Sequence, residues 1–114
     1  MRSLTLFAAA VAIALPAAAH HGWSSYDESK PLTINGTFTQ LSWGNPHGTA
    51  KMNWQGKSWD VILAPTGRME ARGLTQAEVA PGKKIRLTGY ARRDGTAEMR
   101  IERITIGSKT VELR

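Results

Sequence analysis

The 114-residue sequence has no cysteine. That excludes a disulfide framework, a thiolate metal site, a cysteine nucleophile and a lipid anchor on cysteine. No apolar run reaches the roughly 20 residues that a bilayer-spanning helix needs. There is no H-E-x-x-H, no G-x-S-x-G, no Walker loop and no dinucleotide fingerprint. Acidic residues are scarce, 9 Asp and Glu against 15 Lys and Arg, for a formal net charge of +6. Asp27 and Glu28 are adjacent in a polar stretch, which is poor geometry for a general acid/base pair. The basic residues are scattered from Lys30 to Arg103 without a long run. They read as a solvated surface with affinity for anionic envelope material, not as a nucleic-acid stripe.

What is present begins with a leader. Arg2 supplies a positive start, Leu4 to Leu15 is apolar apart from Thr5, Pro16 breaks the run, and Ala17-Ala18-Ala19 supplies small residues. That order predicts a cleavable signal peptide over 1–19, export to the periplasm and no membrane anchor after cleavage. A buried N-terminal helix is the alternative. The residues beyond 19 suit one domain with a modest core.

The mature part predicts an extended arm over 20–31 and a β domain over 32–114. Leu32, Ile34 and Phe38 alternate, then the apolar phase shifts to Leu41 and Trp43, the mark of a long coiled or bulged strand. Trp43 to His47 makes a turn. Ala50, Met52 and Trp54 face Trp59, Val61 and Leu63 across a four-residue Gln55–Ser58 loop, pairing Trp54 with Trp59, Met52 with Val61 and Ala50 with Leu63. Thr66 is placed to cap a short helix through Arg72 with Gly73 as its stop, and Thr75-Gln76-Ala77-Glu78 fits a capping box for a further turn. Ile85, Leu87 and Gly89 point inward, with Tyr90 on the outer face. Met99 and Ile101 are followed by a phase shift to Ile104 and Ile106, and Val111 and Leu113 end the chain. A coiled strand, a hairpin, a helical insert between strands three and four and a final hairpin is the order of a small OB-like antiparallel barrel. Another small barrel or sandwich is the alternative. The core is Ala50, Met52, Trp54, Trp59, Val61, Leu63, Ile85, Leu87, Met99 and Ile101.

The three histidines are His20, His21 and His47. Cleavage after Ala19 would put His20 at a free amine. An α-amine and Nδ1 of one histidine chelate a metal, and a further imidazole from His21 or His47 completes a histidine brace. Those nitrogens suit Cu(II) by the Irving–Williams order. Cleavage after Ala18 would instead give Ala-His-His, with a different chelate through backbone amides. An arm running back along strand one, about 40 Å long at about 3.3 Å per residue, would bring His20 near His47. Trp23 and Trp43, with Asn45 beside the turn, either line a ligand surface or pin the arm to the barrel. Arg68 and Arg72, at i,i+4, either grip an anion or form a solvated face. Met69 reads as core.

At HHGWSSYD, SWGNPH, WDVILAP, GRMEARGL and ERITIGSKTVELR the chain resembles a family of small exported proteobacterial proteins of unknown function, over nearly the whole mature length. HHGW falls on His20–Trp23 and WGNPH on Trp43–His47. The resemblance implies export and a single domain and leaves function open. The general plan is also similar to bacterial periplasmic OB-fold proteins. The residues themselves point to a monomeric, non-catalytic periplasmic protein that binds a metal, copper above others, with His20, His21 and His47 as ligands. A metal-free module for an envelope ligand or partner protein is the second reading, and an oxidative copper enzyme the third.

Overall fold

The computed structural model describes residues 22–114. The signal peptide expected over 1–19, and His20 and His21, lie outside the described residues. Seven strands and one short α-helix make the described part mostly β. In chain order they are β1 (Leu32–Gly36), β2 (Gln40–Ser42), β3 (Thr49–Trp54), β4 (Lys57–Ile62), α1 (Thr66–Ala71), β5 (Ile85–Ala91), β6 (Glu98–Ile106) and β7 (Lys109–Glu112). Single 3-10 turns occupy Trp23–Ser25 and Gln76–Val79.

The strands form one sheet in the order β1-β5-β6-β4-β3-β2, with β7 paired to β6. The β4–β6 pair is parallel and the other pairs are antiparallel. β1 and β2 stand at opposite ends of this order yet only three residues join them. A flat sheet would hold its ends more than about 20 Å apart at about 4.8 Å per strand, so the sheet must curl. The curl brings β1 close over β3: a Cβ on Gly36 would lie 3.0 Å from Met52 Cε. Where the sequence reads as one strand from 32 to 43, residues 37–39 break it. Phe38 turns into the core at the break, and Thr39 N–H donates to Lys51 O at 2.8 Å.

The β3–β4 hairpin corrects the expected register. Gln55 and Gly56 both have positive φ, 50° and 75°, which makes a two-residue turn whose twist suits antiparallel strands. The pairs are therefore Ala50 with Val61, Met52 with Trp59 and Trp54 with Lys57. The shift from the four-residue loop is two residues on one strand, so every side chain keeps its face. Trp54, expected in the core, is half-buried at the hairpin end. Its ring lies 5.7 Å from that of Trp59, whose Nε1 donates to Trp54 O.

A bulge separates two phases of β6. Thr88 pairs with Arg103 and Gly89 with Ile101, leaving Glu102 unmatched. Met99 and Ile101 therefore point inward before it and Ile104 after it, all at most 1% exposed. Gly89 is required there, because a Cβ would sit 2.4 Å from Arg100 O. Tyr90, expected on the outer face, is buried because the arm covers it.

The helical segment lies between β4 and β5. Thr66 does not cap α1. Pro65 holds the cap position and Thr66 is the first helical residue. Gly73, at φ 92°, ends the turn. At Thr75 the expected box forms: its N–H and Oγ1 both donate to Glu78 Oε1. Met69, Leu74 and Val79 from this insert are fully buried.

Candidate functional site

The arm is fastened to the end of β5. Tyr26 bridges Arg92, Asp27 N–H donates to Ala91 O at 2.8 Å, and Arg93 Nε donates to Ser24 O. Tyr26 is 4% exposed and its hydroxyl donates to Glu98 Oε2 at 2.5 Å. Burial, then this bond to a carboxylate, pushes the Tyr26 phenol up to about 12. Arg92 Nη1 donates to the same Glu98 oxygen at 3.4 Å.

Trp23 packs edge-on against Tyr90, and two guanidiniums lie against it. Arg100 is 4.4 Å and Arg114 is 4.3 Å from its ring centroid. Trp23 thus joins the arm to the sheet. Trp43, half-buried against the core, donates from Nε1 to Glu70 at 2.9 Å. Asn45 is exposed beside it, before a cis Asn45–Pro46 bond.

The 44–47 turn is tied to the end of β4. Gly48 N–H donates to Ala64 O and Leu63 N–H to Gly48 O. This sets His47, part-buried, beside the arm. With a proton on Nδ1, His47 donates to Gly48 O at 3.2 Å and keeps the Nε2 lone pair free.

Between arm, turn and sheet lies an open groove of about 580 Å³. Tyr26, Glu98, Arg92 and Arg100 line it. His47 and Arg68 also line it, with Pro46, Pro65 and Ile62 as apolar lining. Three guanidiniums face one carboxylate, which Tyr26 and Arg92 already engage. Arg92 and Arg100 pass unnoticed in the sequence as scattered charge. The alternation Glu98-Met99-Arg100-Ile101-Glu102 carries the signal, since period two puts the three charges on one face of β6.

Arg68 and Arg72 have other tasks than gripping an anion together. Arg68 Nη1 donates to Leu113 O, and Arg72 Nη1 to both Glu112 O and Arg114 O. Met69 between them is core. Among the described residues no group of three His, Cys, Asp or Glu side chains could hold a metal ion. Of the expected metal ligands, His47 alone is described.

A family model matches residues 9–100. The chain belongs to the DUF6152 family, a family of unknown function. The match to DUF6152 spans the arm, the 44–47 turn, α1 and β5, and ends within β6 at Arg100. The closing stretch that contributes to the resemblance, from Glu102 onward, falls beyond it. No curated protein matches the chain.

Proposed function

We propose that the protein is an exported, non-catalytic periplasmic copper-binding protein built on an OB-like barrel, its leader removed after Ala19. In favour of the barrel are the single parallel pair, the helical insert between β4 and β5, and one broken strand supplying both ends of the sheet order. The copper reading rests on one observation: Tyr26 of the arm and His47 of the turn line the same groove. Trp23–Ser25 is a 3-10 turn, so the reach runs from Trp23 back to His20, three steps along the chain and about 10 Å at full extension, and the reading requires that this reach bring the N-terminal chelate to His47. His47 Nε2 is the atom available to it.

The test compares the mature protein starting at His20 with the same protein acetylated at its N-terminal amine, because one added residue would put His21 third and create the backbone-amide chelate. Cu(II) is titrated into each, followed by calorimetry and paramagnetic resonance. The native terminus should bind far more tightly, and His47→Ala should weaken it. Equal affinity in the two proteins refutes the reading. The metal-free binding module then stands, and the excess of guanidinium over carboxylate in the groove favours it.

A further inference from the structure

The contact of Arg100 with the Trp23 ring helps hold the arm, but it leaves the guanidinium's charge and hydrogen-bonding capacity unmet. Its side chain makes no ion pair and no hydrogen bond among the described residues, and its Nε is shut away from solvent without a partner. That Nε is out of a ligand's reach, but Nη1 and Nη2 also make no hydrogen bond among the described residues and are the donors left for a ligand. Burial lowers the proton affinity of this guanidinium, and the neighbouring Arg114 and Arg68 add to that. Arg114 is neutralised by Glu28 and Glu102, and Arg92 by Asp94 and Glu98. Arg68 uses one nitrogen on Leu113 O. Arg100 is thus the guanidinium of the groove whose charge is met by neither carboxylate nor carbonyl.

Its setting is also organised. The guanidinium lies 4.4 Å from the Trp23 ring centroid, which limits its orientations, and the side chain lines the groove. A planar fork held in this way suits bidentate contact with a carboxylate or phosphate. The other lining decides between them. Pro46, Pro65 and Ile62 offer apolar surface that inorganic phosphate would not use, and a groove of about 580 Å³ holds more than a bare anion.

We propose that the groove binds a small organic carboxylate, its charged end on Arg100 beside Arg68 and its apolar body against Pro46, Pro65 and Ile62. Binding there does not require copper, although His47 lines the same groove. Its test uses mature protein stripped of metal and then desalted, so that neither copper nor a chelator's carboxylates compete.

Benzoate, benzyl alcohol and inorganic phosphate are titrated separately while amide and indole N–H signals are followed by NMR. Benzoate should shift the Trp23 indole and the amides of His47, Gly48 and Arg100. Benzyl alcohol, with the same ring and no charge, should bind at least tenfold more weakly, and so should phosphate, which lacks the ring. Arg100→Gln should lose at least tenfold in benzoate affinity, as should Arg100→Lys, which keeps charge but not the fork. Arg86→Gln, at a side chain bonded to Asn35 and outside the groove, should leave affinity unchanged. Benzyl alcohol or phosphate binding within twofold of benzoate overturns the proposal. So does a folded Arg100→Gln protein with benzoate affinity within twofold of the unsubstituted one, or the absence of any benzoate shift at tens of millimolar.

Discussion

Replacing Tyr26 with Phe removes one hydroxyl from a buried ring and leaves its packing. That hydroxyl donates to Glu98 Oε2 at 2.5 Å. A hydrogen bond to a charged group contributes about 1.5–3 kcal/mol, so the variant should lose that much at neutral pH. The same bond makes a second, pH-dependent signature. Burial first, then Glu98, hold the folded Tyr26 phenol at about 12 against an ordinary value of 10.0. The folded state therefore keeps this proton more tightly than the unfolded chain does. Its contribution is complete below about pH 10 and is lost as pH climbs towards about 12. A shift of that size corresponds to about 2–3 kcal/mol across the window at 1.36 kcal/mol per unit. Urea unfolding at neutral pH and at several alkaline pH values measures both effects. Tyr26→Phe should be destabilised at neutral pH and should show a shallower alkaline decline. Tyrosinate absorbance gives an independent reading. The chain has two tyrosines, and burial with Glu102 raises Tyr90 as well, so neither should ionise in its ordinary range while the protein is folded. Ionisation of Tyr26 near pH 10 in the folded protein, or a loss below about 0.5 kcal/mol in the variant at neutral pH, refutes the reasoning.

Gly89→Ala would drive a Cβ to within 2.4 Å of Arg100 O, a main-chain atom that cannot swing aside, so the loss should reach about 3 kcal/mol or more by denaturant titration. A loss under about 1 kcal/mol would mean that the bulge relaxes freely. Trp59→Ala removes a ring that is 8% exposed and should cost about 3–5 kcal/mol in the same measurement. A loss under about 1 kcal/mol would place the ring outside the core.

Alternation made much of the sheet legible. Ala50, Met52, Trp59, Val61, Leu63, Ile85, Leu87, Met99 and Ile101 are all buried as the period-two pattern requires. The phase shift between Ile101 and Ile104 marks the Glu102 bulge. The hairpin register was less legible. Gln55 is an unusual residue for positive φ, so the two-residue turn it makes with Gly56 hid behind a longer polar loop. Tyr90 was misplaced for a different reason: periodicity within a strand carries nothing about an arm laid over its outer face. The groove was the least legible part. Arg92 and Arg100 stand far along the chain from Tyr26 and His47, and only the curl of the sheet and the fastening of the arm bring the four together.

The contacts that Arg68 and Arg72 make with residues 112–114 bear on how open the border of β7 is to a further strand. β7 pairs with β6 alone, so its outer side could template another strand. Arg72 occupies two alternate carbonyls on that side, those of Glu112 and Arg114, while Arg68 holds the intervening carbonyl of Leu113, whose own N–H donates to Glu102 O of β6. An incoming strand would have to displace guanidinium donors before pairing, and it would meet their charge on approach. Because the acceptors are main-chain oxygens, this protection does not depend on which side chains occupy 112–114. Arg72, at the C-cap of α1, thereby sets guanidinium charge along part of that border.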